Sequence, residues 1–160
     1  MVTDLQPFQN NNKKEFNMSD LIADKLAIQE LAYEYARCAD QKDYAGFANV
    51  FTQDGVLSIP AMQFDAEGLE VIQGAMQQLE NYSRTFHLVA NVQSTVDNDK
   101  ATAQVYCVAS HVIAGDDGEQ KFDIGVIYDD KLVKTSEGWR FSKRTLNSQW
   151  SQTQPLDQVS

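Results

Sequence analysis

The sequence predicts an α+β domain in which three helices cap a curved antiparallel sheet. Two observations carry the prediction. From Leu21 to Phe51, and again from Gly68 to about Asn81, apolar residues recur mostly every three or four positions, the repeat of a helix with one buried face. From Phe86 onward they alternate with polar ones, the repeat of a strand with one buried face. A third supports both: 160 residues with 42% apolar and 22% charged types make ordinary globular composition, enough for one domain with tails and a single core.

The first helix is expected from Leu21 to about Ala39, with Ser19 or Asp20 as its cap and Leu21, Ile22, Leu26, Ile28, Leu31, Ala32, Tyr35 and Ala36 on its buried stripe. Asp40-Gln41-Lys42-Asp43 breaks it, and Tyr44, Phe47, Val50 and Phe51 resume the period in a short second helix. Thr52-Gln53-Asp54-Gly55 reads as the turn that stops this helix. Val56–Ile59, β-branched and bounded by Gly55 and Pro60, reads as a short strand, and residues 61–66 as a loop. A third helix is expected from Gly68 to about Asn81 through Leu69, Ile72, Met76 and Leu79. Four long antiparallel strands follow, separated by turns at Asp97-Asn98-Asp99, Gly115-Asp116-Asp117-Gly118 and Ser136-Glu137-Gly138. Residues 1–18 and 152–160 read as tails around a domain at 19–151. A curved sheet covered by helices encloses a conical pocket, and polar side chains pointing into it are where chemistry belongs.

Thirteen Lys and Arg against 23 Asp and Glu leave a net charge of −10. A surface that acidic repels phosphate backbones and anionic lipids, so neither nucleic acid nor membrane is an expected partner. Residues 1–18 lack the apolar core of a signal peptide, and no stretch approaches the roughly 18 apolar residues of a membrane span, so a cytoplasmic location is expected. Cys38 and Cys107 make no disulfide framework.

Two histidines occur, His87 and His111, both in expected strands. The midpoint between them falls at the 97–99 turn, so a simple hairpin sets the imidazoles at matching heights, with Cβ atoms about 4.5–5.5 Å apart if they share a face. Two adjacent imidazoles rarely both ionise near neutrality, so one can hold a proton while the other accepts one, an arrangement suited to general acid–base work. Asp40, ending the apolar face Ala36-Arg37-Cys38-Ala39, has two readings: a helix-terminating cap, for which Asp43 competes, or a carboxylate that orients an imidazole. Aromatic residues exceed what the core needs, and Tyr35, Phe51, Phe64 and Tyr128 are candidate walls of a pocket for a flat hydrophobic ligand. Cys107 shares the face of His111 by strand parity. Arg144 is a candidate holder of a carbonyl or carboxylate, competing with a surface ion pair. No metal-ligand spacing, Gly-rich phosphate loop or nucleophile elbow is present, so no metal or cofactor is expected.

Several stretches resemble the SnoaL-like superfamily of curved-sheet, cystatin-like cones. They are Ile28-Gln29-Glu30-Leu31-Ala32-Tyr33-Glu34-Tyr35-Ala36, Ala39-Asp40-Gln41-Lys42-Asp43-Tyr44, Phe51-Thr52-Gln53-Asp54-Gly55 and Glu137-Gly138-Trp139-Arg140-Phe141-Ser142-Lys143-Arg144. The resemblance covers about Leu21 to Trp150 and is nearest to the scytalone dehydratase and bile-acid dehydratase branch. It implies His87 as general acid–base, His111 as its partner and Asp40 as the orienting carboxylate. The implied activity is a cofactor-independent dehydration or isomerisation of a small hydrophobic, cyclic carbonyl compound. Where scytalone dehydratase has a tyrosine before the aspartate and another in the first strand, this chain has Ala39 and Leu57-Ser58-Ile59, so the acid–base core is carried over more fully than the dehydration step. The same superfamily contains non-catalytic modules such as the small subunits of ring-hydroxylating dioxygenases, which is the alternative reading. Apolar outward positions on the strands predict a homodimer or homotrimer.

Overall fold

The computed structural model describes residues 17–115 and 118–157. Most of the N-terminal tail, the Asp116-Asp117 pair and the last three residues lie outside these. The first helix, α1 (Met18–Asp40), starts earlier than its periodicity suggests, because Asn17 rather than Ser19 or Asp20 caps it: the Asn17 side chain accepts the Ser19 N–H. Its buried stripe begins only at Ile28; Ile22 and Leu26 are 60% and 56% exposed, and this first half of the helix meets the sheet through polar contacts, Lys25 to the Ser94 carbonyl and Asp24 to Lys134 and Trp139.

The expected second helix is a 3₁₀ turn, Ala45–Asn49, carrying the fully buried Phe47. Thr52–Gly55 is no turn. It belongs to β1 (Phe51–Ile59), whose register shifts between Phe51 and Val56. The expected loop at 61–66 contains a 3₁₀ turn, Pro60–Met62, and a short edge strand, β2 (Phe64–Glu67). The third expected helix is regular only as α2 (Leu69–Met76) and tightens into 3₁₀ geometry at Gln77–Asn81. Among the described residues there are thus two α-helices rather than three.

The four long strands are β3 (Arg84–Asp97), β4 (Lys100–Gly115), β5 (Gly118–Thr135) and β6 (Gly138–Pro155). Gln152–Pro155, read as tail, pairs with Gln120–Asp123 and extends the sheet. The sheet order is β2-β1-β6-β5-β4-β3, antiparallel throughout except that β1 runs parallel to β6. The expected curved antiparallel sheet is thus present, with β1–β6 as its one parallel pair among the described residues. The α2 segment crosses from the β2 edge of the sheet to the β3 edge, and the meander β3-β4-β5-β6 then brings the last strand back beside β1. Ile28, Tyr35, Phe47, Val50, Phe51, Ile72, Val105, Leu132 and Phe141 meet between helices and sheet to form the core. No helix among the described residues is long and apolar enough to cross a membrane.

Candidate functional site

The site is assembled where α1 ends against the edge strand β3. The helix stops at Asp40 through two reversed hydrogen bonds: Lys42 N–H donates to the Ala39 carbonyl and Asp43 N–H to the Cys38 carbonyl, with Lys42 in the left-handed region at φ 54°. Asp43 then accepts the Gly46 N–H and so starts the 3₁₀ turn. The capping role goes to Asp43, which leaves the Asp40 carboxylate for other partners.

Those partners come from one face of β3. Thr85 and His87 are two residues apart, so both side chains point toward the helix-covered side. The Thr85 hydroxyl donates to Asp40 Oδ1 at 3.0 Å, and His87 Nδ1 lies 2.6 Å from the same oxygen. The His87 backbone N–H donates to Oδ2 at 2.9 Å. This amide is free to do so because β3 is an edge strand, with ladder partners on one side only among the described residues. A carboxylate can only accept, so the shared proton sits on Nδ1, and Nε2 is the basic nitrogen of His87. The His87 side chain is 7% exposed and that of Asp40 24%. Burial pushes the Asp40 carboxyl up, but the hydrogen bonds and charge of His87 outweigh it and hold the group below its ordinary value.

The imidazoles of His87 and His111 stand edge to face with centroids 5.8 Å apart. They are diagonal rather than directly opposite: His87 pairs with Ala109, and His111 with Thr85. The reason is twofold. The hairpin closes at Asp97↔Lys100, one pairing step from the Asp99-centred turn that would set His87 opposite His111, and β3 carries an extra residue between Val89 and Val92. Each displacement alone would put the rings on opposite faces; together they shift the pairing by two and keep them on one face.

His111 is 8% exposed, and its Nδ1 is buried with no hydrogen-bond partner among the described residues. Tyr82 and Phe122 flank its ring at 4.7 and 6.1 Å. Burial, then the neighbouring His87 charge, push its pKa below the ordinary imidazole value, so His111 is neutral near pH 7. The pair therefore consists of one imidazole held by a carboxylate and one kept uncharged.

The remaining candidates fall elsewhere. Arg144 is 1% exposed and donates through Nε and Nη2 to Asp130 at 2.9 and 2.8 Å; the ion pair is buried, not on the surface. The rings of Tyr35, Tyr128 and Phe141 enclose the guanidinium at 4.3, 4.2 and 4.1 Å, so Tyr35 and Tyr128 are walls of this cage. Phe51 packs in the core against Phe47 and Phe141. Phe64 is exposed on β2, at the sheet edge opposite β3, and does not meet the histidines. Cys107 shares the His111 face as parity required, and burial pushes its thiol up to about 11, a packing residue rather than a nucleophile. The residues missed in the sequence are Thr85, Tyr82 and Asp130. Parity alone would have placed Thr85 beside His87, and the others needed the register. Among the described residues, no group of three His, Cys, Asp or Glu side chains is placed to hold a metal ion.

Comparison with known proteins gives a consistent picture. The SnoaL-like domain family matches residues 20–145. The uncharacterized protein Rv2910c of Mycobacterium tuberculosis is 34% identical over 124 residues, covering 77% of this chain and 84% of that one. Among solved structures, the Kfla4162 protein of Kribbella flavida is 25% identical with a TM-score of 0.78, covering 83% of this chain and 95% of its own. The hexachlorocyclohexane dehydrochlorinase LinA-type3 of Novosphingobium barchaimii is 18% identical with a TM-score of 0.74, covering 89% and 97%, a likeness of fold.

Proposed function

Since this chain belongs to the SnoaL-like domain family, we propose that it is a cofactor-independent acid–base enzyme, a dehydratase or isomerase for a small hydrophobic, cyclic carbonyl compound. The observation that carries the reading is the chain Asp40–His87–His111: a carboxylate 2.6 Å from one imidazole, whose ring stands 5.8 Å from a second, buried one. Asp40 fixes the tautomer of His87 and stabilises the imidazolium that forms when Nε2 takes the proton beside the carbonyl. His111, uncharged, offers hydrogen bonding to the oxygen on which charge develops, or passes a proton to the departing hydroxyl. Dehydration and isomerisation share the first proton transfer and differ only in where the second proton goes. The side chains move every proton, so the proposed reaction calls on no cofactor. A hexachlorocyclohexane dehydrochlorinase shares this fold, and dehydrochlorination, like dehydration, is an elimination. Tyr82 and Phe122 beside His111 supply apolar walls for a flat ring.

The test is α-proton exchange in D₂O on a panel of hydrophobic cyclic ketones and β-hydroxyketones, followed by NMR and mass spectrometry. The wild-type protein is expected to exchange the α-proton or release water, and His87→Ala to lose about 10²–10⁴-fold of that rate with an unchanged circular dichroism spectrum. Binding of panel members without exchange by the wild-type protein would favour the non-catalytic, ligand-binding module instead.

A further inference from the structure

Asp40 needs help to stay charged and still. It is the last residue of a 23-residue helix, where the negative end of the helix dipole opposes a carboxylate. Its terminal torsion is also soft, with broad wells. His87 supplies two donors, yet both belong to the residue that Asp40 is meant to orient. Thr85 supplies the third, a hydroxyl 3.0 Å from the same Oδ1 that meets the imidazole. The side chain of Thr85 is buried and β-branched, hence stiff about χ1. It is also the direct cross-strand neighbour of His111. One residue thus touches the carboxylate and occupies the space beside the second imidazole.

We infer that Thr85 is the positioning residue of the acid–base chain: its hydroxyl sets the plane of the Asp40 carboxylate, so that Oδ1 holds the His87 Nδ1 proton while the ring keeps its angle to His111. The inference rests on the acid–base reading above for its catalytic consequence, but its structural half stands apart from any substrate. Thr85→Val keeps the shape, the branching and the strand preference and removes only the donor. Thr85→Ser keeps the donor.

The experiment is proton NMR of the ¹⁵N-histidine-labelled full chain, together with the ketone exchange assay. Wild type is expected to show a downfield, exchange-protected His87 Nδ1–H resonance. In Thr85→Val that resonance broadens into solvent or moves upfield, and kcat for α-proton exchange falls about tenfold at unchanged KM, as a misplaced catalytic group would give. Thr85→Ser restores both. Retention of the wild-type resonance in Thr85→Val, or absence of any protected Nδ1–H in wild type, overturns the inference. If no ketone exchanges even with wild type while the resonance still depends on the hydroxyl, the positioning role stands and the proposed reaction falls.

Discussion

A carboxylate at the carboxyl end of a helix, partly withdrawn from water, is unfavourable unless donors converge on it, and Asp40 receives three. Asp40→Asn keeps the volume but presents an amide that can donate to Nδ1, which moves the imidazole proton to Nε2. We expect it to cost about 10²–10⁴-fold in α-proton exchange, measured beside wild type, with little change in melting temperature. His111 makes a different prediction. Its folded pKa lies below the unfolded value of about 6.5, so the unfolded chain binds the proton more readily. The stabilisation is full above that unfolded value and is lost as pH falls through the lowered folded one. Thermal melts between pH 7.5 and 5 should therefore show a falling midpoint, and His111→Phe should flatten the fall attributable to this group. An equally steep decline in the variant would remove His111 as its source.

The strands carry a second polar centre, the Arg144–Asp130 pair between β6 and β5. It lies wholly inside the sheet–helix layer, with three aromatic rings around the guanidinium. Removing one partner leaves a buried, uncompensated charge, so Arg144→Met should destabilise the domain by about 3–5 kcal/mol in urea unfolding. Replacing Asp130 by Leu in the same chain should recover most of that loss, because two apolar groups leave no charge unpaired. A double variant no more stable than the single one would contradict this account. The bulge of β3 at Val89–Val92 belongs to the same scale. One inserted residue sets which side chains face the helices from there to Arg84, and so decides that Thr85 and His87 look toward Asp40.

Across the whole molecule, the outer face of the sheet is the feature that no helix covers among the described residues. Leu88, Val108, Gly125 and Trp150 stand in register across four strands, and the indole of Trp150 lies on Gly125, where an added Cβ would meet the ring at 2.2 Å. Phe86, Leu88, Tyr106 and Trp150 are 64%, 56%, 37% and 48% exposed. Single exposed apolar residues are ordinary, but a contiguous row across a sheet is the kind of surface two copies of a chain bury together. We propose that the chain is a homodimer or homotrimer through this face. Sedimentation velocity should give a dimer or trimer, and Leu88→Glu with Trp150→Glu should give a folded monomer. A wild-type monomer at micromolar concentration would refute it.

Periodicity by itself determined the α+β class, the helix ending at Asp40 and the four long strands, since burial on one face imposes a repeat of 3.6 or 2 that survives in the one-dimensional string. The pairing of Asp40 with His87, 47 residues apart, was legible only as one of two readings, and family resemblance rather than spacing favoured it. Tertiary structure decided the rest. The β1–β6 parallel pair depends on strand order, and the diagonal placement of the imidazoles, the burial of Arg144 against Asp130 and the hydroxyl of Thr85 on the carboxylate depend on register. Register is a long-range property: one bulged residue or a turn shifted by one position changes which side chains meet while leaving local composition untouched.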